Sequence, residues 1–126
     1  MNVVKSDVSL YLQDVFKSVR EGRYQISARK KNQDMFLDYV FTEEDAKNVI
    51  LSLKVDDFSN VVQNDHPQHP EELLYIFGKE IKLLSRYGRG EEIVPLYIKL
   101  NKLQNQYVVV ISLHKQEYPL HYPFKS

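Results

Sequence analysis

Residues 96–114 read LYIKLNKLQNQYVVVISLH, and this stretch determines which fold the chain can adopt. In its first part apolar residues alternate with Tyr97 and Lys99, and in its last part β-branched residues run almost without interruption. Two such runs separated by a short polar segment are typical of an antiparallel hairpin. We therefore expect strands over 96–100 and 107–114.

Side chains alternate along a strand, so each of these strands presents two faces. The core face is expected to carry the apolar set Leu96, Ile98, Leu100, Tyr107, Val109, Ile111 and Leu113. If these sets face the same way, Tyr97, Lys99, Ser112 and His114 share the outer face. A one-residue slip in the pairing would move one strand's set to the other side of the sheet.

The N-terminal half is dominated by helical periodicity. Val8, Leu12, Val15 and Val19 recur at the spacing of an amphipathic helix. The segment 42–45, TEED, resembles a capping box that begins another apolar-periodic run. The predicted helices cover 7–20, 29–38 and 43–53.

Between the helices and the hairpin the pattern becomes mixed. A short strand or extended connection is expected at 24–27, and a turn or short helix at 56–58 with Phe58 in the core. Two prolines and several turn-forming residues predict a loop over 64–70. A strand follows at 74–77 and can continue over 80–84, and the aromatic tail 118–124 is expected to pack across the domain.

Helices come first and strands afterwards, which indicates an α+β fold with N-terminal helices packed on a C-terminal antiparallel sheet. We see no linker or repeat, and the 126 residues predict a single domain, 1–126.

Composition excludes several classes of protein. There is no cysteine, so disulfide partners, thiolate metal sites and cysteine nucleophiles are ruled out. No membrane-spanning stretch or signal peptide is evident, so we expect a cytoplasmic protein without a membrane partner. The 17 basic and 17 acidic residues argue against a sequence-blind, purely electrostatic nucleic-acid binder but allow a local basic patch.

The predicted outer face of the hairpin combines a phenol, an ammonium, a hydroxyl and an imidazole. RNA cleavage without metal needs a base for the ribose 2′-hydroxyl, an acid for the leaving 5′-oxygen and a cation against the phosphate charge. His114 is suited to proton transfer near neutral pH, Lys99 to stabilising the phosphorane, and Tyr97 to hydrogen bonding or base stacking.

Other polar groups are more ambiguous. The basic run 29–31 fits either a solvated helix start or a phosphate contact, and Arg86 and Arg89 could also contact phosphate. His66 and His69 are better explained by a solvated loop than by a metal site, so we expect no metal and no cofactor.

The chain resembles the MqsR family of type II toxin–antitoxin toxins. The resemblance is carried by the helix over 43–53, the segment LKVDDF at 53–58, YIF at 75–77, LYIKL at 96–100 and VISLH at 110–114. It implies a RelE-like fold and a metal-independent endoribonuclease, an mRNA interferase, that a cognate antitoxin protein holds in check.

The resemblance also implies roles for individual residues. The family's active-site tyrosine falls on Tyr97, and its C-terminal lysine falls on His114, with Lys115 as the adjacent alternative. A further family lysine falls near Asn60, and an active-site glutamine near Tyr75.

Together with Lys99, Tyr97 and His114 form the expected catalytic set. The expected RNA contacts are Arg86, Arg89, Lys115 and Tyr75. A different class of function stays open, namely a non-catalytic binding or regulatory protein, such as a phage-type inhibitor module, on the same scaffold. The zero net charge and the loss of a basic residue near Asn60 favour this alternative.

Overall fold

The computed structural model describes residues 2–125, so Met1 and Ser126, the two ends of the predicted domain 1–126, lie outside it. The described residues form helices α1, α2 and α3, a short 3₁₀-helix, and strands β1 to β5. In chain order these are α1 (Lys5–Arg20), β1 (Tyr24–Ile26), α2 (Lys30–Asp38), α3 (Glu43–Leu51), the 3₁₀-helix (Val55–Asp57), β2 (Phe58–Gln63), β3 (Leu73–Leu84), β4 (Glu91–Lys102) and β5 (Val108–Lys115).

The strands form one five-stranded sheet in the order β1-β5-β4-β3-β2. Strands β2 to β5 pair antiparallel with one another, as expected. The short β1 pairs parallel with β5, so the sheet is mixed rather than wholly antiparallel. The α+β class is confirmed, with the difference that the short β1, which lies between α1 and α2 in the chain, forms one edge of the sheet.

Capping hydrogen bonds mark the first residues of α1 and α3. The α3 helix starts with the expected reciprocal cap, in which Asp45 N–H donates to Thr42 Oγ1 (3.1 Å) and Thr42 N–H donates to Asp45 Oδ2 (2.9 Å). The α1 helix begins at Lys5, two residues earlier than predicted, because Val4 N–H donates to Asp7 Oδ2 at 3.1 Å. An acid in the first turn also suits the positive end of the helix dipole.

The core lies between α1, α3 and one face of the sheet. Val8, Val15 and Ile50 from the helices are fully buried, as are Ile98 and Leu100 from β4. Burying side chains of this size stabilises the fold by about 1.5–3 kcal/mol each. The opposite face of the sheet is left without an α1 or α3 cover, which is where polar strand residues can remain accessible.

A β-bulge in β5 changes the predicted faces of that strand. Lys99 pairs with Ser112, but the next residue along β4, Leu100, pairs with Val110, so Ile111 is the extra residue. Upstream of this bulge Val108 and Val110 are fully buried. The prediction that Val109 and Ile111 face the core, together with Tyr107, was therefore wrong: all three are only partly buried.

Strand β2 was not predicted, because its sequence, FSNVVQ, contains only a short apolar pair and no alternation. Its pairing with β3 is also irregular between Phe58 and Asn60. The predicted turn at its start is the 3₁₀-helix, and Phe58 is buried as expected. Within residues 2–125 no helix has the length and apolar character to cross a membrane.

Candidate active site

The outer face of the β4–β5 hairpin opens into a cavity of about 420 Å³ that brings the predicted residues together. Tyr97 is paired with His114, and Lys99 with Ser112, on neighbouring strands. All four side chains line this cavity, which we call the catalytic-face cavity. The bulge at Ile111 also keeps the core face of β5 apolar, because it shifts the alternation of this strand only upstream of Ser112.

Tyr97 and His114 form a stacked pair. Their ring centroids are 5.3 Å apart and their planes differ by 18°. The Nδ1 atom of His114 lies 2.9 Å from the carbonyl oxygen of Lys115. Because a carbonyl only accepts, Nδ1 carries the proton in this contact, and Nε2 of a neutral imidazole keeps its lone pair.

Burial perturbs the two other ionisable groups on this face. The pKa of Tyr97 is raised mainly by burial, with smaller effects of Tyr118 and Glu117, while Arg29 opposes the shift. The pKa of Lys99 is lowered mainly by burial and then by the positive charge of Arg29. The phenol is therefore held in its neutral, proton-donating form, and the ammonium gives up its proton more readily than a solvated lysine does.

The start of α2 forms one wall of the cavity. Arg29, Lys30 and Lys31 all line it, so the basic run lies beside the predicted catalytic residues. The buried side chain of Asn32 fastens this segment to β5 beyond the end of β1. Its Nδ2 donates to the carbonyls of Ser27 (2.9 Å) and Ile111 (3.0 Å), and its Oδ1 accepts from Leu113 N–H (2.8 Å).

The C-terminal tail forms the opposite wall through Glu117 and Tyr118. Lys31 Nζ lies 2.6 Å from Glu117 Oε1, and this contact is the main reason that the pKa of Glu117 is lowered. Farther along, Ser59 Oγ donates to the His121 carbonyl at 2.7 Å, and the rings of Phe124 and Phe58 stack with centroids 5.6 Å apart. The tail thus packs across the domain, as predicted.

Of the predicted RNA contacts, two lie next to the catalytic-face cavity and two do not. Arg89 and Lys115 line a neighbouring cavity of about 280 Å³ that shares Lys31 and His114 with it. Arg89 is engaged there by Glu92, with Nε 2.7 Å from Oε1.

Arg86 and Tyr75 have other partners. The Nε of Arg86 donates to the backbone carbonyls of Phe36 (3.1 Å) and Tyr39 (2.9 Å), which ties the β3–β4 connection to the end of α2. Tyr75 lies on the helix-facing side of the sheet, stacked on Tyr11 with centroids 3.7 Å apart. The structure therefore does not place either residue beside Tyr97 and His114.

The loop between β2 and β3 holds the residues that could bind a metal ion among those described. His69, Glu71 and Glu72 each have one ligand atom within 4.8 Å of the others. Glu72 Oε1 already accepts from Asn64 and Asn101 amides at 3.0 Å each. These three residues are absent from the lining of the catalytic-face cavity.

Comparison of the chain with models of known protein families and with curated proteins finds no match. The geometry of the cavity is therefore the basis for a functional inference.

Sequence reasoning did not assign Asn32, Glu117 and Tyr118 to this site. The alternation of the hairpin gave no signal for them, since Glu117 and Tyr118 line the cavity from the tail and Asn32 holds the α2 wall against β5. The basic run beside Asn32 and the aromatic content of the tail were the available signals.

Proposed function

We propose that this protein is a metal-independent endoribonuclease that cleaves mRNA by acid–base catalysis. The observation that carries the proposal is the convergence of Tyr97, Lys99 and His114 in one cavity whose rim bears the basic run 29–31. An acid–base pair alone is common on protein surfaces. Its combination with several cations on an accessible face suits a phosphodiester substrate.

The proposed reaction begins at His114. Its Nε2 takes the proton from a ribose 2′-hydroxyl, and the resulting oxygen attacks the adjacent phosphorus. The bond from phosphorus to the 5′-oxygen breaks, leaving a 2′,3′-cyclic phosphate on one fragment. The 5′-oxygen receives a proton from Lys99, whose lowered pKa favours this donation. The other fragment therefore begins with a free 5′-hydroxyl group.

Tyr97 and the basic rim have supporting roles in this proposal. The neutral phenol of Tyr97 donates a hydrogen bond to a non-bridging phosphate oxygen, where negative charge accumulates in the transition state. Arg29 and Lys30 neutralise phosphates of the bound strand. Because each step uses side chains of the chain itself, the mechanism needs no metal ion.

We further propose that the chain is a toxin of a type II toxin–antitoxin system, similar to the MqsR family and to the RelE fold. The packing of α1 and α3 on one face of the sheet, with Tyr97 and His114 on the other, supports this proposal. A cognate antitoxin would then be its protein partner, and the cytoplasm its site of action.

The experiment is RNA cleavage by purified protein in EDTA. Wild type is compared with Tyr97→Phe, which removes only the hydroxyl, and with His114→Ala. The exposed His66 lies in the β2–β3 loop, so His66→Ala is a matched control for loss of an imidazole. We expect His114→Ala to lower the cleavage rate about 10²–10⁴-fold, the usual contribution of general acid–base catalysis.

Two results would contradict the proposal. One is an inactive wild-type protein that also fails to slow growth when it is expressed without a partner. The other is cleavage by His114→Ala at the wild-type rate. If neither catalytic variant changes a growth phenotype and Arg89→Ala abolishes capture of a protein partner, the chain is a non-catalytic binding protein instead.

A further inference from the structure

A second cavity adjoins the catalytic-face cavity on the same side of the sheet. It has a volume of about 420 Å³, within the range of ~300–1,000 Å³ that is usual for small-molecule clefts. Tyr97 and Tyr118 line both cavities, so the two are contiguous and share an aromatic boundary. The second cavity lies between β2, β3 and the tail, and we call it the neutral cavity.

The two cavities differ sharply in charge. Arg29, Lys30, Lys31 and Lys99 line the catalytic-face cavity, together with one carboxylate, that of Glu117. No Asp, Glu, Lys or Arg is among the residues that line the neutral cavity within residues 2–125. The two parts of a nucleotide differ in the matching way, because its phosphate is anionic and would suit the cationic cavity, whereas its base is neutral and aromatic and would suit the neutral cavity.

The walls of the neutral cavity suit a flat aromatic group. Ile76 and Leu120 supply apolar surface, and Tyr97 and Tyr118 supply ring surface at the boundary. Proteins that bind unpaired RNA commonly stack its bases on such side chains. Tyr118 is well exposed, so its ring is available to a ligand.

One polar group in the neutral cavity can distinguish bases. Asn60 lies on β2 and is exposed, and its Oδ1 accepts from the N–H of Val61 at 2.8 Å. Within residues 2–125 its Nδ2 has no hydrogen-bond acceptor. This amide donor can pair with an exocyclic carbonyl oxygen on the edge of a base.

We propose that the neutral cavity binds one nucleobase next to the phosphate that is cleaved, and that Asn60 selects a base carrying an exocyclic carbonyl. This inference rests on the proposed function, since it places the base beside the reacting phosphate. It makes Asn60 and Tyr118 determinants of the cleavage sequence rather than of the chemistry. Uracil, cytosine and guanine satisfy the donor of Asn60, and adenine lacks the carbonyl.

The test reads sequence preference in two independent ways. The ends of RNA fragments are sequenced after cleavage, and the affinity for short single-stranded oligonucleotides, deoxy at the cleavage position, is measured by fluorescence anisotropy. Asn60→Asp replaces the donor with an acceptor and should move the preference towards bases with an amino group. Asn48→Asp, at an exposed asparagine of α3, is the matched control for the added charge.

Tyr118→Ala tests the aromatic boundary that Tyr97 and Tyr118 form between the two cavities. We expect it to weaken binding of these oligonucleotides about 5- to 150-fold, the range for loss of one stacked base. Tyr118→Phe keeps the ring and should bind as wild type does. Equal affinity in all three proteins would overturn the role of the aromatic boundary.

The outcomes separate this inference from the proposed function. Cleavage at an unchanged sequence by Asn60→Asp overturns the base site and leaves the ribonuclease intact. Absence of cleavage, with a base preference in binding that Asn60→Asp shifts, overturns the ribonuclease and supports the base site. A shift in both readouts, absent from Asn48→Asp, supports both.

Discussion

Asn32 connects the basic wall of the candidate active site to the sheet, and Asn32→Ala tests how much this connection contributes. The side chain is 1% exposed and takes the place of a neighbouring strand along β5 after β1 has ended. Alanine removes the two hydrogen bonds to carbonyl oxygens and the one from Leu113 N–H. It also leaves a small void where the amide was.

The expected loss of stability follows from those three bonds. Leu113 is buried, so its N–H loses its partner without gaining water, at a cost of about 1–3 kcal/mol. The carbonyls of Ser27 and Ile111 are partly accessible and recover some hydration, so they add less. Alanine regains about 0.5 kcal/mol of helix propensity in α2. We therefore expect the free energy of unfolding to fall by about 2–3 kcal/mol. A domain with an ordinary unfolding free energy of about 5–15 kcal/mol stays folded after such a loss.

The assay is urea unfolding followed by far-UV circular dichroism, with tyrosine fluorescence as a second probe because the chain has no tryptophan. Asn48→Ala, at an exposed asparagine of α3, is the control and should change the free energy of unfolding by no more than about 0.5 kcal/mol. A loss below about 1 kcal/mol for Asn32→Ala, with an unchanged denaturant slope, would refute the reasoning.

Two further predictions concern the walls and floor of the site. A Cβ at Gly78 would overlap the hydroxyl of Tyr122. Gly78→Ala should therefore lower the free energy of unfolding by about 1–3 kcal/mol through overpacking, offset by about 0.5–1 kcal/mol from the lower entropy of the unfolded chain. Adding Tyr122→Phe to this variant should restore part of the loss. Faster trypsin cleavage after Lys115 in Gly78→Ala would report the released tail, and unchanged cleavage would contradict this account. Because burial and Arg29 lower the pKa of Lys99 below its ordinary 10.5, the charged form is disfavoured by folding, and Lys99→Met should be more stable than wild type at neutral pH. That gain in stability should shrink as the pH rises through the pKa of Lys99 in the folded state towards 10.5. Urea unfolding of both proteins at neutral pH and near pH 10 measures the gain, and an equal gain at the two pH values would contradict the prediction.

The elements with strong periodicity could be predicted from the sequence. Alternation identified β4, a run of β-branched residues identified β5, and helical spacing with a cap identified α3. The faces of β5 could not be predicted, because residues 108–111 are four consecutive apolar residues without alternation. A bulge in such a run changes which residues face the core, and no residue in the run indicates where the bulge falls.

The candidate site was predictable only in its local part. Tyr97, Lys99, Ser112 and His114 share a face because they lie on two adjacent strands, and strand period alone determines this once the register is known. The contributions from α2 and from the tail depend on long-range packing. The hydrogen bonds of Asn32 to β5 span about 80 residues of sequence, and no local pattern encodes such a separation.

The neutral net charge of the chain does not conflict with an anionic substrate. Charges separated by more than about 8 Å are largely screened at physiological ionic strength, so the charge near the phosphate matters more than the total. The catalytic-face cavity gathers four cationic side chains against the single carboxylate of Glu117. Lys31 and Glu117 form an exposed pair, which solvent and salt screen, so a phosphate of the proposed RNA substrate would displace Glu117 at little cost. For the proposed RNA substrate, a cationic cavity beside a neutral one would also set the direction in which the RNA chain binds, which a uniformly basic surface would not do.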